Sequence, residues 1–263
     1  MRRSFAIHWL GTVPYGEAHA LQEELVRARV AGEVGDVVLL LEHPKVITLG
    51  RGAPMADVIA SEEVRAAKQV ELFETGRGGQ VTAHAPGQLV AYPIVDLKPE
   101  RCDVRKYIRD LGEVMVRLVA GTGLDARFVP ESALIGVWID KDAPRAYGGG
   151  NTEKVGAIGV RLSRWVTMHG FALNVATDLS IFDLIVPCGI RDHGVTSLAA
   201  HGVRETPHGL VPAAARHFGE VFDADVRIAS AEETRALRAR RRERGPRRRR
   251  CRGRYFFVST SPY

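Results

Sequence analysis

Cysteine is scarce in this chain of 263 residues: Cys102, Cys188 and Cys251 are odd in number and far apart, with no C-x-x-C pair. That spacing argues against a thiolate metal or redox motif and against a disulfide scaffold, so free thiols are expected. Long apolar runs are missing too. No segment approaches the roughly 18 to 20 apolar residues that a membrane-spanning helix needs, and the opening MRRSFAIHWLGTVPYGE holds too short an apolar stretch for a secretory signal. A soluble cytoplasmic protein with no membrane attachment is therefore expected. Aromatics make up 7% of the chain, but the apolar share of 45% is enough to bury one good core or two small ones. There is no internal repeat.

The net charge of +6 would ordinarily point to an acidic partner such as nucleic acid. Its distribution argues otherwise. Residues 1 to 226 carry 24 Lys and Arg against 28 Asp and Glu, whereas residues 227 to 263 carry 13 Arg against 3 Glu. Within the second segment, RALRARRRERGPRRRRCRGR offers little that can enter a core, and such a block is expected to stay solvated and disordered. The division is thus a domain over 1 to 226 and an Arg-rich tail over 227 to 263. The tail has no groove-reading motif, and its aromatics Tyr255, Phe256 and Phe257 do not alternate with the arginines, so nucleic acid is not an expected partner.

Periodicity predicts strands and helices in mixture. Phe5 to Leu10, Val37 to Leu41, Val46 to Leu49, Val70 to Glu74, Leu89 to Val95, Leu134 to Ile139, Val155 to Leu162 and Trp165 to Leu173 read as strands. Ala18, Leu21, Leu25 and Ala28 recur at helical spacing, and that helix should stop before Gly32. A second helix over Ser61 to Lys68 has Ser61 as its cap. In a third, capped by Asp103, Tyr107, Leu111, Val114 and Leu118 form one stripe, widened by Ile108, Met115 and Val119; Gly121 and Gly123 end it. A last helix covers Pro212 to Phe222. Helices among strands joined by short turns predict an α+β fold with a mixed sheet.

Three places carry candidate chemistry. Residues 77 to 88, RGGQVTAHAPGQ, set an arginine, paired glycines, a hydroxyl and an imidazole after a strand; paired glycines let a ligand approach the backbone closely. The segment matches neither the dinucleotide fingerprint nor the phosphate-binding Walker A pattern, and on spacing alone an ordinary Gly-rich turn with a satisfied histidine is the favoured reading. Cys188 lies in Pro187-Cys188-Gly189-Ile190, a sharp loop after the apolar run Ile181 to Val186, where a thiol is either exposed or a small core residue. As a nucleophile it needs a neighbouring cation or base. Lys154, after Gly148-Gly149-Gly150 and before Val155 to Val160, is placed to supply one, or else is an exposed strand-edge lysine.

Together these segments resemble the lipoyl(octanoyl) transferases. RGGQVTAHAPGQ, KVGAIG at 154 to 159, HGFALNV at 169 to 175 and PCGI at 187 to 190 occur in that family's order and rough spacing, with EHPKVITLGR at 42 to 51 and VTSL at 195 to 198 in agreement. The resemblance spans about residues 5 to 222. It implies the catalytic-domain fold shared by biotin and lipoate protein ligases, a mixed sheet with packed helices, and ATP-independent transfer of an octanoyl group. The implied donor is octanoyl-acyl carrier protein; the acceptors are lysines in lipoyl domains of 2-oxoacid dehydrogenases and in the glycine cleavage H protein. No cofactor and no metal are implied.

By the same resemblance Cys188 is the acyl-thioester nucleophile and Lys154 its activating lysine. Substrate binding falls on Arg77, Gly78, Gly79, Gln80, Val81, Thr82, Ala83 and His84, on Ala157, Ile158 and Gly159, and on Gly170, Phe171 and Ala172. The sequence departs from the family at Ala83 and Ala85, where an aromatic and a glycine are common, and at Gly76, where an acid is common. Altered loop mobility or a slightly roomier pocket is expected from these changes.

Overall fold

The computed structural model describes residues 2–131, 134–140, 152–186 and 194–243. In chain order, β1 (Arg3–Thr12) and α1 (Tyr15–Val30) lead to β2 (Asp36–Glu42), β3 (Val46–Leu49), the short α2 (Glu62–Ala67), β4 (Glu71–Glu74), β5 (Val81–His84) and β6 (Gln88–Ile94). Then come α3 (Val104–Ala120), β7 (Arg127–Val129), β8 (Gly136–Asp140), β9 (Thr152–Ser163), β10 (Val166–Asn174) and β11 (Gly194–Val195). α4 (Val211–Phe222), β12 (Ala224–Ile228) and α5 (Ala231–Glu243) follow.

The strands form a large mixed sheet in the order β12-β1-β2-β6-β10-β9-β8-β7, with β11 pairing in parallel to the start of β9. A second sheet has the order β4-β3-β5. The uninterrupted run on β2 is explained by burial on both faces. Val38 and Leu40 join the core under α3 and α4, while Val37, Leu39 and Leu41 join the core under α1. The α3 stripe is equally direct: Tyr107, Leu111, Val114, Met115, Leu118 and Val119 all enter the first of these cores, and Asp103 caps the helix by accepting from the Lys106 amide at 3.0 Å. Gly112 lets β7 close on this helix, since a Cβ there would lie 2.3 Å from the Phe128 ring. Ser61 caps α2 as expected, accepting from Val64 at 3.3 Å.

The basic segment differs from its expectation. The boundary after residue 226 falls inside β12, which pairs in parallel with β1, and residues 231 to 243 are helical. Ser230 and Glu233 close a reciprocal capping box: Ser230 Oγ accepts from the Glu233 amide at 3.1 Å and Glu233 Oε2 accepts from the Ser230 amide at 2.8 Å. Thr234 pairs with His8 at 3.0 Å, Leu237 packs on the α1 core, and Arg238 reaches Glu17 at 3.0 Å. Composition alone hides this, because the inward-facing residues are few among arginines. Residues 244 to 263 lie outside the described residues.

Candidate active site

The Gly-rich segment folds as a loop and a strand that join the small sheet to the large one. Arg77 is buried, 7% exposed, and its guanidinium donates to Thr48 O and Oγ1, both at 2.8 Å, and to Gly78 O at 3.1 Å. The Gly78 amide donates to Val160 O on β9 at 3.0 Å, and Arg51 donates to Arg77 O at 3.0 Å. Glycines permit the close contacts around this loop. A Cβ on Gly50 would stand 1.9 Å from Gly79 O, and one on Gly159 would stand 3.0 Å from Gly78 O. Arg77, Gly78 and Gly159 are therefore assembled with one another, and the arginine serves as a latch for the loop.

β5 divides the predicted residues by alternation. Val81 and Ala83 enter a small core with Ile47, Leu49, Ile181, Leu184 and Ile185, and Ala85 is buried there too. Ala83 thus packs beneath the 3-10 turn Leu179–Leu184. The two alanines fill that apolar core, so the roomier pocket expected from them is not what their packing provides. Thr82 is half-buried, while Gln80 is exposed. His84 is 6% exposed and sits in an aromatic group in which its ring lies 5.8 Å from that of Tyr15 and 5.4 Å from that of His43.

This group extends further than the sequence analysis indicated. Phe73, His19, Tyr92 and His169 join it through ring centroid distances of 5.0 to 6.2 Å. His43 Nδ1 donates to Val13 O at 2.7 Å, which leaves its Nε2 to accept from the Tyr92 hydroxyl at 2.8 Å. Burial lowers His43 to about 4; burial and the neighbouring His43 take His84 to about 3. His169 is held well below the usual histidine range, first by burial and then by His19 and Arg77. Burial also raises Tyr15 to about 12. The three buried imidazoles and the phenols are therefore neutral at pH 7. His169 takes a left-handed backbone conformation, φ +61°, with its amide donating to Gln22 Oε1 at 2.9 Å, and strain of that kind concentrates at functional sites. His43 and His169 lie in the EHP and HGF segments, where the resemblance already pointed; the clustering that joins them is tertiary.

β9 and β10 carry the remaining predicted residues in facing pairs: Ala157 with Ala172, Ile158 with Phe171, Gly159 with Gly170. The pairs alternate in face. Phe171 belongs to the core under α3 and α4, stacked on Phe218 at 6.1 Å, and Ile158 packs against the same core. Ala172 belongs to the α1 core. Gly170 permits close strand packing, since a Cβ there would be 2.2 Å from Ala91 O.

Lys154 is 8% exposed, and its Nζ lies 5.3 Å from the centroid of the Trp138 ring, its partner across β8 and β9. Its stem runs over Gly136, where a Cβ would come within 2.4 Å of Lys154 Cε. Cys188 lies outside the described residues, as do Pro187, Gly189 and Ile190. The described chain on either side is tied down. The Val186 amide donates to Asp57 O at 2.7 Å; further along the chain, β11 pairs Gly194 with Glu153 and Val195 with Lys154, and the Thr196 amide donates to Lys154 O at 3.0 Å. Gly194 to Thr196, the described residues that follow in the chain, therefore lie against the strand residue that carries the buried amine.

Comparison with known proteins gives the family of the chain. Residues 14–218 match the lipoyl protein ligase A/B catalytic domain family. Octanoyltransferases from Solibacter usitatus and Rubrobacter xylanophilus are 42% and 50% identical over 85% and 75% of this chain, and the matches span 96% and 83% of those proteins. The chain belongs to the octanoyltransferase family. For the octanoyltransferase from Myxococcus xanthus, 46% identical, the match covers 84% of this chain and 60% of that longer protein. Acyl transfer is the activity of the family.

Solved structures establish the fold independently. A bi-partite lipoate protein ligase from Thermoplasma acidophilum superposes with a TM-score of 0.67 over 92% of this chain and 93% of that one, at 16% identity. Lipoate-protein ligase A bound with ATP gives 0.66 over 93% and 95%, at 14% identity. The octanoyltransferase chain thus has the mixed α+β architecture of the lipoate ligase catalytic domains. Among its described residues, no helix is long and apolar enough to cross a membrane, and no group of His, Cys, Asp and Glu is arranged to hold a metal.

Proposed function

We propose that this chain takes an octanoyl group from octanoyl-acyl carrier protein and delivers it, through a thioester on Cys188, to the ε-amine of a lysine in a lipoyl domain. The observation that carries this reading is the buried amine of Lys154, on a strand residue paired with Val195, seven positions after Cys188 in the sequence. A charged amine there favours the thiolate, the reactive form of cysteine. The thiolate attacks the donor carbonyl, the C–S bond to the carrier breaks, and the carrier sulfur leaves as a thiol with the proton that Lys154 gives up, which leaves the lysine amine neutral. The neutral amine of the acceptor then attacks acyl-Cys188, the amide forms, and the Cys188 thiolate departs while Lys154 accepts the amine proton. Backbone N–H groups near the loop are suited to stabilise the oxyanion of each step. A thioester gives an amide, so no ATP is consumed.

Ala157 and Ala172, small side chains at facing positions of β9 and β10, are assigned to the path of the octanoyl chain, each buried methylene of which is worth about 0.8 kcal/mol. His84 is assigned to orienting substrate. Acceptors in this reading are lipoyl domains of 2-oxoacid dehydrogenases and the glycine cleavage H protein, and the reaction is placed in the cytoplasm. Intact mass spectrometry after mixing with octanoyl-acyl carrier protein tests the proposal. One octanoyl adduct is expected on the wild type and none on Cys188→Ala; an adduct that persists in Cys188→Ala contradicts it.

A further inference from the structure

Two buried amides that the sequence analysis left without a role connect His84 to the strand of Lys154. His84 Nδ1 and Gln88 Oε1 are 2.7 Å apart. Gln88 Nε2 donates to Asn174 Oδ1 at 2.9 Å and to Ala83 O at 3.3 Å. Asn174 Nδ2 donates to Thr196 O at 2.9 Å, and the Thr196 amide donates to Lys154 O at 3.0 Å. Gln88 and Asn174 are 2% and 4% exposed and face each other in the β6–β10 ladder. The preceding turn is fixed as well: Gly87 donates to Glu42 Oε2 at 2.6 Å, and a Cβ on Gly87 would stand 2.3 Å from Ala176 O.

Two backbone carbonyls set the polarity of this chain. Thr196 O only accepts, so Asn174 must present Nδ2 to it and Oδ1 to Gln88. Ala83 O also only accepts, and with Asn174 Oδ1 it requires the Gln88 amide nitrogen on that side. Reversing either amide would place buried oxygens against one another, at a cost of several unmade hydrogen bonds. Gln88 therefore offers only Oε1 to His84, and a neutral imidazole must answer with a proton on Nδ1 and a lone pair on Nε2.

We infer that Gln88 and Asn174 are positioning residues: they hold His84 as the Nδ1–H tautomer, with Nε2 as a hydrogen-bond acceptor for the incoming amine, and tie it to the Lys154 strand. Their hydrogen bonds run to His84, to Ala83 O, to one another and to Thr196 O, so they act through His84. The inference rests on the orienting role of His84 proposed above, and it adds which nitrogen acts and what selects it. Tyr15 from α1, His43 after β2, Arg77 before β5 and His169 on β10 lie around His84, and the hydrogen bond at Nδ1 runs to Gln88 Oε1.

Nitrogen-15 NMR of histidine-labelled protein tests the inference, with the His84 signals assigned by their loss in His84→Gln. In the wild type, Nε2 should show the shift of an unprotonated ring nitrogen and Nδ1 that of a protonated one. Gln88→Met should mix the tautomers. Asn174→Leu, at a residue whose hydrogen bonds run to Gln88 and Thr196 O, should do so as well, because Gln88 Nε2 then loses one of the two acceptors that orient its amide. Both should lower kcat for transfer to an apo lipoyl domain by roughly 10- to 100-fold, the usual cost of losing a group that orients a working imidazole, with KM changed less than about twofold. A wild-type His84 protonated on Nε2 overturns the inference, and so does a tautomer unchanged in both variants. The tautomer is read without substrate, so that failure is distinct from failure of the octanoyl adduct, which would overturn the functional reading instead.

Discussion

Along β9 and β10, Ile158, Phe171 and Leu173 turn toward α3 and α4, whereas Ala157, Gly159 and Ala172 belong to the side covered by α1. The first side is apolar throughout, with Phe171, Phe218 and Phe222 in stacked contact. The second places imidazoles, phenols and amides beside small residues, where His43, His84 and His169 are buried and neutral. One pair of strands thus enters an apolar core through one face and lies beside the imidazole cluster with the other. The alternation of a pleated strand makes this separation possible, since neighbouring residues answer to different neighbourhoods.

Lys154→Met tests the chemical face with the largest expected effect. It should slow single-turnover acylation of Cys188 by roughly 10²- to 10⁴-fold, the range for a lost acid–base group, while the urea midpoint stays near wild type. Unchanged rates would remove the lysine from the mechanism. On the apolar face, Phe218→Ala should cost about 3 to 5 kcal/mol of stability by urea titration, with kcat of the folded fraction retained. A large loss of kcat with little loss of stability would erase the contrast between the faces.

Acid should separate the faces again. His43 and His84 titrate at about 4 and about 3 in the folded protein, below the unfolded histidine value of about 6.5. Between those limits the unfolded chain binds more protons, so stability is complete above pH 6.5 and falls as pH drops toward 4. Each histidine contributes a slope on the order of 1 kcal/mol per pH unit in that window. His43→Gln should flatten the fall in urea midpoint between pH 6.5 and pH 5, and an unaltered slope would show that its imidazole is not buried neutral. The smallest effect belongs to the edge of the sheet: Ser230→Ala should cost about 1 kcal/mol through the lost cap of α5, read as a shift in thermal midpoint.

The sequence disclosed the elements whose signal is local. α3 announces itself by its stripe and cap, β2 by a run that only two-sided burial explains, and Lys154 by its place after glycines in a family motif. Elements held by distant partners were hidden. β12 pairs with β1 across the whole chain, β11 is two residues long, and β5 lies inside a segment whose glycines read as loop. α5 was masked by its arginines although Ser230 and Glu233 have the spacing of a capping box. Within the site, His84 stood out by motif. Gln88 and Asn174 occur in the same motifs, but their pairing spans 86 positions and becomes visible only when β6 and β10 are side by side.

The measurement that bears most directly on the central claim is transfer from a preformed octanoyl adduct. Wild-type protein acylated by octanoyl-acyl carrier protein, freed of donor and mixed with an apo lipoyl domain without ATP, should lose its adduct as the acceptor lysine gains one octanoyl group. An acceptor that is modified only when ATP is added, or an adduct carried equally by Cys188→Ala, would contradict it.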